Sequence, residues 1–352
     1  MSSRGFEIGG VSIRRGASRD IRLKFSETYL GDDLAVPVRV VRGARPGPTV
    51  FVTAAIHGDE INGTGIVHGL LYNESPNLQA GTLILVPVVN VFGFESHERY
   101  LPDRRDLNRS FPGSAHGSLT SRFAARLMQE VVRASDYGID LHSAAFQRTN
   151  YPNIRGDLAL PGVRRIARAF GCPLIVDGKG PVGSLRREAC RRGCPTIILE
   201  AGEPWKIEPG VQKVGEMGVR NVLRALEMVP GQSVRPPFQT VSRRTVWVRA
   251  TIGGLLKFHV SAGDFVERDQ PIATAYSIMG DMSDVVSATV DGIALGMTTM
   301  PAVKPGEPIC HIAVPQAKLS TLRRALRKAR PDLHSAVQEH LATNFDVVDY
   351  TG

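Results

Sequence analysis

Thr49-Val50-Phe51-Val52-Thr53-Ala54-Ala55-Ile56-His57-Gly58-Asp59-Glu60 decides the reading of this chain. The apolar run predicts a strand buried on both faces, because no polar alternation leaves a side for water. The polar tetrapeptide then falls at the carboxyl end of that strand, where open α/β sheets keep their ligands. A second run, Tyr137-Gly138-Ile139-Asp140-Leu141-His142, predicts another strand that delivers an imidazole to the same edge. His57, Glu60 and His142 are neutral nitrogen and carboxylate oxygen donors, a set that binds zinc and leaves one position open. Separately each has a plainer reading: a turn hydrogen bond for His57, a helix-start charge for Glu60, a strand-end histidine for His142.

Outward from these strands, α/β signals alternate. Helices are expected over 63–72, 119–135 (with Ser118 as cap), 160–170 and 210–228, and strands over 83–89 and 195–200. Residues 1–50 contain alternating segments that read as hairpin arms. After Pro230 the character changes. Pro236-Pro237 marks a joint, and residues 240–313 are short β-like pieces broken by Gly253-Gly254, Gly263-Asp264, Asp291-Gly292 and Pro305-Gly306. This pattern predicts a layered α/β part, 1–235, carrying an N-terminal β extension. A β-rich accessory part and helical tail follow, 236–352.

A chain of 352 residues with 42% apolar content supports two cores. The net charge of +9 comes from scattered arginine pairs without a long basic run, and aromatics make up 6%. Nucleic-acid binding is therefore disfavoured and an acidic small substrate favoured. No apolar run is long enough to span a membrane and no secretory segment opens the chain, so a cytoplasmic location is expected. The four cysteines, Cys172, Cys190, Cys194 and Cys310, lack the paired spacing of a metal site and read as ordinary thiols.

The chemistry needs a proton carrier, and Glu200 is the candidate because it ends the strand Ile197-Ile198-Leu199. Glu203 is its competitor. The polar segment from Arg99 to Gly113 reads as a substrate loop. In it Arg109 can grip a carboxylate in two-pronged fashion, Asn108 can hydrogen-bond the same end, and Arg99 can stabilise developing oxygen charge. Arg104 and Arg105 read as solvated or paired with Asp103 and Asp106. Either Arg186 or Arg187 could add a carboxylate contact, since adjacent helical positions point differently. Residues 150–155 read as a loop on the far rim, where Arg148 and Arg155 are either substrate contacts or plain loop residues. Asp140, on His142's side of an alternating strand, could orient that ligand.

Taken together, His57-Gly58-Asp59-Glu60, Asp106-Leu107-Asn108-Arg109, Asp140-Leu141-His142 and Glu200-Ala201-Gly202 resemble the succinylglutamate desuccinylase/aspartoacylase family of zinc carboxypeptidase-like hydrolases. The resemblance implies a three-layer α/β zinc carboxypeptidase-like domain followed by a β-rich barrel-sandwich domain. It implies one Zn2+ per chain on His57, Glu60 and His142, with Glu200 as base and proton shuttle. Asn108, Arg109 and Arg186 become substrate contacts, and Arg99 the carbonyl-polarising group. The expected reaction is hydrolysis of a small anionic N-acyl amino acid (acetyl or succinyl, N-acetyl-diaminobutyrate among them), in a homodimer or homotetramer. The β-rich part resembles a biotinyl/lipoyl-like sandwich, but no lysine lies between Lys257 and Lys304 to carry a swinging cofactor. A wall or interface is expected instead. The alternatives are a zinc carboxypeptidase or amidase acting on a short peptide, and an inactive metabolite-binding protein.

Overall fold

The computed structural model describes residues 6–28, 30–72 and 76–328. The strand Arg45–Ala54 lies inside a twelve-stranded sheet, flanked in parallel by Ala80–Val86 and Tyr137–His142. Val50, Phe51, Val52 and Ala54 are fully buried. Burying each larger side chain among them contributes about 1.5–3 kcal/mol. The next strand, Thr196–Gly202, runs parallel to Tyr137–His142, with Glu200 opposite His142.

Helices cover both faces. Asn62–Tyr72, Pro161–Phe170 and Pro209–Ala225 pack on one side, through Ile66, Ile166 and Val214 among others. Leu119–Leu127 and Leu185–Arg191 pack on the other, where Phe51, Phe123 and Leu185 belong to one buried cluster. This is the expected three-layer arrangement. Prolines open two of the helices, where their missing amide is not needed. Ser118 caps Leu119–Leu127, accepting from the Ser121 amide. The long helix expected to Ser135 instead gives way to a π turn over Met128–Val132.

The N-terminal extension forms the antiparallel pair Ser18–Glu27 and Asp33–Arg42, which joins the sheet at Ala80–Val86. At the far side, residues 148–156 form a strand, Arg148–Gly156, and not the expected loop. Its backbone pairs antiparallel with Thr196–Gly202 and parallel with Leu174–Asp177. These ladders supply the order that its polar sequence lacks.

Beyond residue 236 the β-rich segment does two things. Thr240–Arg249 pairs in parallel with Leu174–Asp177, and Pro308–Pro315 and Gly292–Thr298 follow it in the same sheet. A separate four-stranded sheet holds Gly254–Phe258, Pro271–Tyr276, Ser283–Ser287 and Ala302–Val303. Together these make the closed barrel-sandwich region. A helix, Leu319–Lys328, begins the tail, and the remainder of the expected tail lies outside the described residues. No helix among the described residues is long and apolar enough to cross a membrane.

Candidate metal centre and substrate cavity

Strand register brings the three metal-ligand candidates together. Ala54 sits opposite Leu141, so His57 emerges from its strand end beside His142. The turn between Ile56 and the helix at Asn62 returns Glu60 to the same point. One donor atom from each of His57, Glu60 and His142 lies within 4.8 Å of the others, and all three residues are buried. The Glu60 carboxylate lies between the rings: Oε1 is 2.6 Å from His57 Nδ1 and Oε2 is 2.7 Å from His142 Nδ1. Gly58 is required by close packing, since a Cβ there would lie 2.0 Å from the Gly93 carbonyl carbon.

The outer nitrogens are also held. His142 Nε2 lies 2.8 Å from Asp140 Oδ2, and Asp140 Oδ1 accepts from Thr53 at 2.8 Å. His57 Nε2 lies 3.1 Å from Asp106 Oδ1. With both Nε2 atoms facing carboxylates, the Nδ1 atoms, grouped around Glu60, are the ones that would bind a cation. Burial alone would make each imidazole harder to protonate. For His57, Glu60 and Asp106 outweigh that and raise its pKa; for His142, Asp140 and Glu60 do the same more strongly. Burial opposes ionisation of Glu60 as well, but the two imidazoles hold its carboxyl far below the ordinary range. The pocket thus favours positive charge in a dry setting, and its donor set fits one Zn2+. Asp140→Asn is expected to weaken zinc retention by about 10- to 100-fold, read by competition with a chelator.

The remaining candidates surround a cavity of about 330 Å³. Arg99 donates from Nη1 to Glu60 Oε1 at 2.8 Å and its Nη2 is 3.5 Å from Asp106. Arg104 and Arg105 are exposed, the solvated alternative of their reading, while Asp103 accepts from Thr120 and Asp106 faces His57 and Arg99. Asn108 Oδ1 accepts from the Leu185 amide at 2.9 Å, tying the substrate loop to the helix that carries Arg186. Arg109 lines the cavity with Nη1 on the Asn108 carbonyl oxygen. Of the neighbouring arginines, Arg186 faces the cavity, whereas Arg187 donates to the Gly180 carbonyl. Arg186 is 5% exposed, and its Nε and Nη1 have no hydrogen-bond partner. Burial, with Arg155 nearby, lowers its pKa to about 10.

Glu200 lines the same cavity. Its Oε2 accepts from Asn150 at 3.0 Å and its Oε1 is 3.5 Å from Arg155. Glu203 is engaged elsewhere, with Lys206 at 3.0 Å. Arg148 and Arg155 line the cavity from the far rim, and two further lining residues escaped the sequence reading: Trp247 and His311. The Arg148 guanidinium lies 4.8 Å over the Trp247 ring, which stacks on His311 at 4.1 Å. Burial, Arg155 and Arg148 lower the His311 pKa to about 4, so its ring is neutral at neutral pH. No local motif marks these residues; the β-rich part brings Trp247 and His311 in from far along the chain.

A zinc site at these strand ends, on a sheet with helices on both faces, places the chain among the zinc carboxypeptidase-like hydrolases. Within that class it belongs to the succinylglutamate desuccinylase/aspartoacylase family, whose catalytic-domain profile matches residues 46–226. The N-alpha-acetyl-L-2,4-diaminobutyric acid deacetylase of Halomonas elongata is 29% identical over 300 residues, covering 79% of this chain and 85% of the relative. Two solved structures share the fold. A succinylglutamate desuccinylase/aspartoacylase from Rhodobacter sphaeroides superposes with a TM-score of 0.77 at 22% identity, over 88% of this chain and 98% of the other. The ectoine utilization protein of Ruegeria pomeroyi, solved with product bound, gives 0.76 at 21% identity, over 86% and 97%. The chain is accordingly an enzyme for zinc-dependent hydrolysis of an amide bond in a small N-acyl amino acid.

Proposed function

We propose that the substrate is an N-acyl amino acid carrying more than one negative group, with its α-carboxylate held by Arg186, Asn108 and Arg109. The observation that carries this reading is the buried Arg186 guanidinium, which has unpartnered nitrogens in the same cavity as the zinc ligands. An unpaired buried cation is costly, and a carboxylate ligand offsets that cost. Charge on the cavity wall supports the rest. Five arginines line it (Arg99, Arg109, Arg148, Arg155 and Arg186) against two carboxylates, Glu60 and Glu200. Arg99 and Arg155 face those carboxylates, so three arginines remain for substrate.

When bound, Zn2+ supplies Lewis-acid polarisation of the carbonyl and an acidified water. Glu200 takes the proton of the attacking water and returns it to the departing amine nitrogen. Arg99, beside Glu60, donates to the carbonyl oxygen as negative charge grows on it. Trp247 and His311 form an apolar-faced wall that keeps bulk water from the reacting atoms. The small cavity favours an N-acyl amino acid over a peptide lying in an open groove.

The substrate named for the Halomonas relative, an Nα-acetylated diaminobutyrate, would bring its side-chain ammonium into this arginine-lined space. We therefore place it below the acidic analogue. With zinc-loaded protein, amine release should favour N-acetyl-L-glutamate over N-acetyl-L-glutamine by about tenfold or more, the worth of one charge-assisted contact. N-acetyl-L-2,4-diaminobutyrate should be the poorest of the three. Equal rates on all three would reject the acidic-substrate reading while leaving the deacylase intact.

The same reading takes residues 1–235 as the catalytic part and 236–352 as the accessory part. It also includes a closed homodimer or homotetramer, the prevailing assembly among soluble enzymes. A cytoplasmic setting agrees with the four free cysteines. Light scattering and subcellular fractionation test these two points.

A further inference from the structure

The carboxylate of Glu200 is held by a residue that the β-rich part keeps in place. Asn150 donates from Nδ2 to Glu200 Oε2 at 3.0 Å. It reaches that position through an irregularity in the ladder between Arg148–Gly156 and Thr196–Gly202. Glu200 pairs with Asn153, but Gly202 pairs with Asn150, so one extra residue is inserted on the Arg148–Gly156 side. Such a bulge redirects side chains. Here the inserted stretch contains Pro152, which has no amide to lose from the ladder. Asn153, the direct neighbour, donates from Nδ2 to the Tyr151 carbonyl at 2.8 Å and to the Glu200 backbone carbonyl at 3.2 Å, and not to the Glu200 carboxylate.

The other edge of Asn150 faces the strand Gly292–Thr298, with Gly296 as its register partner. A Cβ at Gly296 would lie 2.6 Å from Asn150 Oδ1 and 3.0 Å from the Thr149 carbonyl oxygen. The bare glycine backbone thus supplies the space that the Asn150 amide occupies. Two glycines, Gly202 and Gly296, flank Asn150 on its two neighbouring strands.

We propose that Asn150 is the positioning residue of Glu200, and that Gly296 of the β-rich part sets its orientation. Asn150 fixes the plane of the carboxylate and occupies Oε2, leaving Oε1 to carry the proton between water and amine nitrogen. The β-rich part therefore acts on catalysis through this contact in addition to walling the cavity. The inference rests on Glu200 being the proton carrier, and the test separates the two ideas.

Steady-state kinetics of the zinc-loaded full chain would compare wild type, Asn150→Ala, Gly296→Ala, Glu200→Gln and the double variant Asn150→Ala/Glu200→Gln. Asn150→Ala should lower kcat on the order of tenfold with KM within about twofold, because the lost contact orients the base and not the substrate. Gly296→Ala, which touches neither substrate nor zinc, should lower kcat in the same manner. In the Glu200→Gln background the asparagine substitution should add almost nothing, as expected for two groups acting through one function. Loss of turnover in Glu200→Gln, with wild-type kcat in both Asn150→Ala and Gly296→Ala, overturns the positioning role alone. A full additive loss in the double variant, or a change confined to KM, overturns it as well. Wild-type kcat in Glu200→Gln overturns the base assignment and the inference with it.

Discussion

Glu200→Gln retains its zinc and loses turnover by about 10²- to 10⁴-fold, the usual contribution of a positioned general base. The side chain keeps its shape and can still meet Asn150, but an amide cannot accept the proton of the attacking water. The measurement is amine release by protein whose metal content has been fixed by elemental analysis. Substrate affinity should change little, because the groups assigned to the α-carboxylate are Arg186, Asn108 and Arg109. Unchanged kcat would transfer the proton role elsewhere. Glu203 is a poor heir: it is buried against Lys206 and does not line the cavity.

His57→Ala removes a metal donor, and both zinc retention and turnover should fall by more than about 100-fold, beyond the effect usual for an outer partner. Glu60 then keeps only one imidazole neighbour, and Asp106 loses its histidine partner. Removing zinc from the wild type with a chelator should abolish amine release in the same way, and added Zn2+ should restore it. In His57→Ala, restoration should require far higher zinc. Stoichiometric zinc with normal turnover in that variant would exclude His57 from the metal centre.

Much of this could be read along the chain because the information is local. An apolar run followed by His57-Gly58-Asp59-Glu60 specifies a buried strand and what stands at its end. Tyr137–His142 and Thr196–Gly202 repeat the device, and parallel pairing then aligns the three ends. The Arg148–Gly156 strand was illegible for the opposite reason. Arg148, Asn150, Asn153 and Arg155 interrupt any apolar alternation: the strand turns Arg148, Asn150 and Arg155 toward a cavity and buries Asn153 on backbone carbonyls. Its order comes from neighbouring ladders, which involve partners far away in sequence. Trp247 and His311 were hidden likewise: they meet Arg148 only after two strands of the β-rich part have joined the sheet. The partners of Asp103 and Asp106 also depended on tertiary approach, so the sequence left open whether Arg104 and Arg105 were paired or solvated.

The continuous hydrogen-bonded ladder has a consequence for synthesis and engineering. Leu174–Asp177 finds its outer partner only in Thr240–Arg249, and Arg148–Gly156 is further braced by Gly292–Thr298. A nascent chain halted near residue 235 would bear open strand margins beside the residues that handle the proton. Such margins recruit other chains. A shortened protein is therefore expected to associate promiscuously, and grafting a foreign β module would have to rebuild those seams before it could alter substrate choice.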